Sequence, residues 1–420
     1  MAAVLLLLAT CLGWLNVSEA VQKHHLYREP IVNATLQREM EACGDFGPGA
    51  WISRKMKTPR LPEGARALWG TLYTQRRIWE LQHPYDCRTT KLAYYSLPAD
   101  GHGIGSSLHL LGHALGISMD MGRVFVIGQE VSVWMRGKHC EGSRTLDECY
   151  FQPVSSCNYA DVLRHGQALP YRRSDHTNLR ANVSDAPVIQ ITEWAEMGDS
   201  HNVSNALTAD IKQMLRQSPI PQEWWFYWWR CQAAGYMVRP NPRTLAAIDR
   251  ARQQYFSQAD RLSLESASWV SVYVRRGDKA RENPEMLKDP KPFLDRATQL
   301  IRDNPGTVAP RIFLATEDVG VHSYFKANAT VPVFSANVTR FNEDKGYSPM
   351  DHAKRIGPDV EFINALMSLE FTMTGDAFVF AMVSNWGRLI NEMRSTVQCK
   401  VDSYFFDPEQ PNGITRLNWR

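Results

Sequence analysis

From Trp269 onward the chain alternates short apolar runs with longer stretches of helical period, a rhythm that few architectures can accommodate. Val270, Val272 and Val274 alternate with Ser271 and Tyr273, the period-2 pattern of a strand. A helix is expected over Pro292 to Asn304, where Phe293, Ala297, Leu300 and Ile301 recur at helical spacing. A strand from Ile312 to Thr316, a helix from Asp359 to Thr374 and a strand from Ala377 to Val383 follow. Ser384 then opens a helix that carries Arg388. Strand, helix and strand in succession give a parallel sheet with helices on its faces. Upstream, a strand over Lys91 to Leu97, a helix over Ser106 to Met119 and a strand over Arg123 to Ile127 read as a first unit of the same kind. The alternation alone supports an α/β fold of two units.

At 420 residues the chain has room for two domains and a leader. Its 44% hydrophobic and 22% charged residues are those of an ordinary globular protein. A net charge of +3, with no Lys/Arg block, argues against nucleic acid as a partner. The apolar run from Val4 to Leu15 is shorter than the ~20 residues that span a bilayer. Ser18 and Ala20 have the spacing a signal peptidase prefers, so residues 1–20 read as a cleavable signal peptide despite the missing charged n-region. Membrane association is then expected only through an uncleaved N-terminus. Five Asn-x-Ser/Thr sequons follow, at Asn33, Asn182, Asn202, Asn328 and Asn337, which places the chain in the lumen of the secretory pathway. Eight cysteines, with Cys11 in the leader, suit that oxidising compartment, and no Cys-x-x-Cys zinc pattern occurs. Cys140 and Cys149 are close enough to bridge locally. Cys43, Cys231 and Cys399 include an odd thiol, and spacing does not say which.

A helical lead is expected over 21–84, with a helix between Thr35 and Trp79 ending near the Pro59 to Pro62 breaks. The first domain then covers 85–250, the second 251–400, and a tail 401–420. Glu196 to Asn205 and Ser218 to Glu223 read as surface loops. Between them and the second unit lies the aromatic run Trp224 to Trp229. Six neighbours on a helix cover every side, so this run reads as packing rather than carbohydrate stacking.

The chemistry concentrates where the strand at Val270 ends. It breaks at Gly277 into a loop bearing Arg275, Arg276, Asp278 and Lys279. Ligands of α/β domains collect at the carboxyl ends of strands, and adjacent arginines there offer forked donors to phosphate. A solvated basic turn is the alternative for these residues taken alone. Gly101, Gly103 and Gly105 lie between a strand and a helix, where glycine lets the backbone approach a ligand and the helix start favours anions. A plain turn is the alternative there.

These residues occur in a context that resembles the core α1,6-fucosyltransferase family, from about Asp86 to Arg388. Arg275, Arg276, Asp278 and Lys279 match its arginine-arginine-x-aspartate-lysine motif. Trp224 to Pro242 is similar to its tryptophan-pair helix ending in arginine-proline. Phe313 to Asp318 is similar to a strand ending in alanine-threonine-aspartate-aspartate. Asp86 to Leu92, Gly101 to His109 and Pro153 to Cys157 recur in the family's order. The resemblance implies two Rossmann-like domains facing across a cleft, the glycosyltransferase-B type, with nucleotide on the second and acceptor on the first. It implies a Cys87–Cys157 disulfide, which could stabilise by ~4 kcal/mol on loop entropy. It also implies GDP-fucose as donor, an N-glycan as acceptor, no cofactor and a Golgi location. Arg275 would meet the β-phosphate, with Ser384 and the Gly103, Ile104 and Gly105 amides completing the cradle. Lys279 would orient a glutamate base: Glu282 if one residue is deleted, or else Glu285. Glu317 and Asp318 would bind sugar hydroxyls or Arg276, and Arg276 would either contribute to the cradle or pin the loop to a carboxylate.

No Asp-x-Asp metal motif is present. The expected reaction is inverting, metal-independent transfer to a glycan hydroxyl, α1,6 on the core GlcNAc. A protein O-fucosyltransferase, an α1,2-transferase and an inactive glycan-binding relative are the alternatives. Three departures bear on the choice. Tyr273 stands where the family has histidine. Ser368 stands where it has a guanine-binding aspartate, for which Glu361 or Asp359 could substitute. The chain carries no counterpart of the SH3-like module, so the resemblance speaks less to the acceptor than to the donor.

Overall fold

The computed structural model describes residues 34–43, 66–99, 102–129, 132–171, 185–192, 207–266, 268–277, 289–341, 348–382, 384–401 and 404–406. The leader, the Pro59 to Pro62 breaks and the 196–205 loop fall outside these residues. Helices α1 (Ala34–Met40) and α2 (Thr71–Gln82) come first. The first unit contains β1 (Leu92–Tyr95), α3 (Ile104–Asp120), β2 (Val124–Ile127), the short helices α4 (Leu146–Tyr150) and α5 (Tyr159–Arg164), β3 (Leu169–Tyr171) and β4 (Val188–Ile191). Its sheet has the order β2-β1-β4-β3, all parallel. The sequence pattern anticipates β1, α3 and β2. It misses β3 and β4, three and four residues long, too short to display a period. Pro170 is tolerated because β3 is an edge strand.

Helices α6 (Ala209–Arg216), α7 (Trp225–Met237), α8 (Pro242–Tyr255) and α9 (Gln258–Ser266) lead to the second unit. That unit runs β5 (Val270–Val274), α10 (Lys291–Asp303), β6 (Ile312–Thr316), α11 (Val319–Asn328), β7 (Val333–Phe334), α12 (Pro349–Ile356), α13 (Pro358–Thr374), β8 (Ala377–Phe380), α14 (Asn385–Ser395) and β9 (Tyr404–Phe406). The sheet order β7-β6-β5-β8-β9 is parallel throughout. The chain builds outward from β5 on one side and then returns to build on the other, so β5 and β8 flank a topological switch point. Every residue of β5 is buried, Ser271 and Tyr273 included, because helices cover both faces. Tyr404–Phe406 lies in the segment expected as a tail, yet it pairs with β8 as an edge strand. Three residues are again too few for periodicity to reveal.

The two units are joined by packed helices. In α7, Trp225, Tyr227, Trp228 and Trp229 are all buried. The Trp228 indole donates to Trp69 O at 2.8 Å, and the Trp229 indole to Gly112 O at 3.2 Å. The aromatic run is therefore core. A Cβ at Gly112 would come within 2.9 Å of Ala233 Cβ, so glycine sets the approach of α3 to α7. On α14, Glu392 is wholly buried between the His109 imidazole of α3 at 2.8 Å and the Arg230 guanidinium of α7 at 2.9 Å. Burial pushes the Glu392 carboxyl up, but Arg230 and His109 outweigh it and hold it below its ordinary range. A second link uses the loop before α4. Asp359, at the start of α13, accepts from the His139 amide at 3.0 Å, and Tyr150 stacks on Phe362 with centroids 3.9 Å apart.

Cys87 pairs with Cys157 and Cys140 with Cys149. Cys43 pairs with Cys399, leaving Cys231 as the buried thiol. The lead thus docks on the second unit, where Leu68 N donates to Ser395 O at 2.8 Å and Arg66 bridges Lys400. No helix among the described residues is long and apolar enough to cross a membrane.

Candidate active site

A cavity of about 320 Å³ opens between the two units at the carboxyl ends of β5 and β6. Three elements point at its floor. Gly103 caps α3 in extended conformation, and Ile104 and Gly105 form the first turn of that 17-residue helix. Ser384 caps α14, its hydroxyl accepting from Gly387 N at 3.3 Å. A Cβ at Gly105 would lie 2.7 Å from the Trp386 nitrogen, and Asn385 Nδ2 donates to Ser106 Oγ at 2.8 Å. Only glycine at 105 lets the two helix N-termini meet this closely. Their first-turn N–H groups and dipoles converge on one place, an arrangement that favours an anion.

Arg275, immediately after β5, is 7% exposed and lines the same cavity. Its guanidinium is held by the Glu317 carboxylate and by the Arg276 carbonyl. The Glu317 oxygen also accepts from the Arg276 amide at 2.7 Å, so one carboxylate at the end of β6 fixes both the side chain and the backbone that follows β5. Tyr273 lies beneath, and its phenol meets the Ser384 side chain. Burial, reinforced by Glu317, pushes that phenol far up, so it stays protonated.

Of the residues expected from sequence, Gly103, Ile104, Gly105, Tyr273, Arg275, Glu317, Ser368 and Ser384 all line this cavity. Asp318 does not. It caps α11 instead, accepting from Val321 N at 2.7 Å, with its second oxygen buried and without a hydrogen-bond partner among the described residues. A carboxylate just before a helix satisfies the first-turn N–H groups, and that local demand turns it away. Arg276 is buried, but its side chain is not part of the described cavity wall. Asp278, Lys279, Glu282 and Glu285 lie outside the described residues, as does Gly101.

The structure adds residues that no pattern announced. Trp134 reaches the cavity from the first unit. Val338, Thr339 and Phe341 form a wall held by Arg340, whose guanidinium donates to Ala336 O at 2.6 Å and to Thr316 O at 3.3 Å. Met350 and His352 of α12 continue it. Facing them, Glu361, Asn364, Ala365 and Ser368 present one stripe of α13 at helical spacing. The result is a slot with apolar flanks and polar edges leading to the anion cradle. Of these, Ser368 and Glu361 are legible in the sequence, Ser368 at the position of the family's guanine-binding aspartate and Glu361 as a substitute for it. The Val338 to Phe341 wall has no period, and the motif it overlaps, the Asn337 sequon, speaks of glycosylation and not of a cavity.

No protein-family model matches the chain, and no curated protein matches it. Among solved structures it is similar to the fucosyltransferase NodZ from Bradyrhizobium, at 15% identity and a TM-score of 0.40, over 72% of this chain and 93% of that one. It is also similar to an Arabidopsis thaliana FUT1 variant in complex with GDP, at 12% identity and a TM-score of 0.44, over 87% of this chain and 86% of that one. POFUT1 in complex with GDP-fucose is similar at 11% identity and a TM-score of 0.37, over 75% of this chain and 97% of that one.

Proposed function

We propose that the protein transfers L-fucose from GDP-β-L-fucose to a glycan hydroxyl with inversion and without a metal ion, forming an α1,6 linkage on the core GlcNAc of an N-glycan. The observation that carries this reading is the convergence of Arg275 with the N-termini of α3 and α14 at the switch point of the second sheet. A leaving nucleoside diphosphate gains negative charge as its bond to the sugar breaks. Preorganised cations and helix N-termini are what such a step requires. The slot between the Val338 to Phe341 wall and α13 suits a flat base with polar edges.

In the reaction the acceptor oxygen bonds to the anomeric carbon as the bond to the β-phosphate oxygen breaks on the opposite face. The hydroxyl proton passes to Glu282, the residue that aligns if one loop residue is deleted, or else to Glu285, with Lys279 beside the base. Glu317 acts on Arg275 rather than on substrate, holding the guanidinium in register. The three disulfides and the exposed sequon residues Asn328 and Asn337 support a luminal, Golgi location.

Incubation with GDP-fucose and an N-glycan, with and without EDTA, is the test. GDP release with an α1,6 product, unchanged by EDTA, is expected. A product of another linkage would redirect the acceptor assignment. Activity lost in EDTA and restored by Mn²⁺ would remove the metal-free mechanism. Absence of GDP release with any acceptor would leave a glycan-binding role.

A further inference from the structure

This inference rests on the diphosphate-binding reading above. Charged side chains in the described cavity wall are few. Arg275 brings a positive charge that Glu317 already balances through their ion pair. The remaining carboxyl is Glu361, in the first turn of α13, 22% exposed where it lines the cavity. Tyr273 and Arg275 face it from the end of β5, and Glu317 from the end of β6. From α12, His352 places Nε2 at 3.7 Å from Glu361 Oε2. Burial, with Arg355 nearby, keeps that imidazole below its ordinary range and so neutral. On α13 itself the Asp359 carboxylate is turned away, onto the His139 amide. The described wall is therefore balanced when Glu361 is protonated and carries a net negative charge when it is ionised.

We infer that Glu361 must hold its proton for the cavity to accept a diphosphate, so that this carboxyl couples ligand affinity to pH. Coulomb repulsion in a partly buried cavity is larger than in bulk solvent, and a diphosphate held at Arg275 comes within reach of an ionised Glu361, whose charge already couples to Arg275 and Glu317. The surroundings of Glu361 already favour this. Burial first, and Glu317 second, push the Glu361 carboxyl up to about 8 against the opposing pull of Arg275. At neutral pH the proton is in place, and above about pH 8 each binding event must take one up.

Calorimetric titration of the full chain with GDP, and separately with inorganic pyrophosphate, tests this. Relative to Glu361→Gln, both affinities should be level up to about pH 8 and then weaken, approaching about tenfold per pH unit. Repeating the titration in buffers of different ionisation enthalpy should reveal proton uptake on the alkaline side only. Glu361→Gln carries the same ligand's own titration and supplies the baseline. It should lose the dependence and bind more tightly than the wild type at alkaline pH. Parallel profiles for the two proteins, or no proton uptake by the wild type, would overturn the inference. So would GDP affinity that rises with pH, as expected if an ionised Glu361 paired with N–H groups of the base. The wild-type proton count decides the matter even if the variant does not fold. A wild type that binds with a flat profile sinks this inference alone, whereas one that binds neither ligand at any pH sinks the proposed function with it.

Discussion

Arg275 is oriented before any ligand arrives. Its contacts with Glu317 and the Arg276 carbonyl leave a forked guanidinium at the mouth of the anion cradle. A lysine cannot reproduce both contacts and still present a fork. Arg275→Lys is expected to lower turnover by about 10²-fold or more with the melting temperature little changed. Near-normal turnover in that variant would dismiss the clamp role. Gly105 acts through space rather than charge. Its missing side chain lets Trp386 approach, so Gly105→Ala should separate the two helix N-termini, cost about 1–3 kcal/mol by overpacking and weaken GDP binding. Denaturant unfolding and GDP titration would read both effects, and unaltered GDP affinity would argue against a shared cradle. Arg275 was legible because it ends a strand, and Gly105 because it opens a helix. Asp318 was misread because a motif match does not distinguish a ligand from a helix cap.

At the scale of elements, α3, α7 and α14 are tied by a single buried carboxylate. Glu392 has no access to solvent and answers both His109 and Arg230. Glu392→Gln keeps the shape and leaves the Arg230 charge buried without its counterion. A loss of roughly 3–5 kcal/mol is expected in urea unfolding. A loss below about 1 kcal/mol would indicate that water or a neighbouring group compensates. Because α3 and α14 also carry the cradle, the same substitution should weaken nucleotide binding. The sequence revealed α3 through its apolar face and α14 through Ser384 at its start, and the crowded aromatics of α7 signalled burial on all sides. It could not reveal the tie, since His109, Arg230 and Glu392 are brought together only by folding. Strands β3, β4, β7 and β9 went unread for the opposite reason, having too few residues to carry a period.

For the molecule as a whole, the parallel α/β character of the second unit was legible because β5, α10, β6, α13 and β8 carry clear patterns, whereas the strand order and the short edge strands were not. The wall from Val338 to Phe341 was not, since its shape depends on Arg340 reaching back to Thr316. Burial also leaves a collective mark on the histidines. His83, His102, His109, His139, His322 and His352 are all held below the ordinary 6.5 with burial as the leading cause, His322 down to about 4. Below about pH 6.5 the histidines of the unfolded chain bind protons that those of the folded chain refuse. The histidine contribution to stability is therefore complete above about pH 6.5 and declines as pH falls toward about 4. Glu361 and Asp147, both raised, oppose this with one proton each and do not reverse the sign. Urea midpoints measured from neutral to acid pH should fall steadily, and a midpoint unchanged down to about pH 5 would contradict the assignment.

The Cys43–Cys399 bond joins positions separated by 356 residues and turns nearly all of the described chain into a covalent ring. A polypeptide emerging from the ribosome exposes Cys43 early, long before its partner exists. The bond can close in its native place only once the lead lies beside the turn that follows α14. Correct pairing is thus a record that both halves have folded and met. Until then Cys43 remains available to Cys87, Cys140, Cys149 or Cys157, each of which is synthesised sooner, so the order of synthesis and the order of native pairing are at odds. In this architecture the last bond to form belongs to one of the first thiols made.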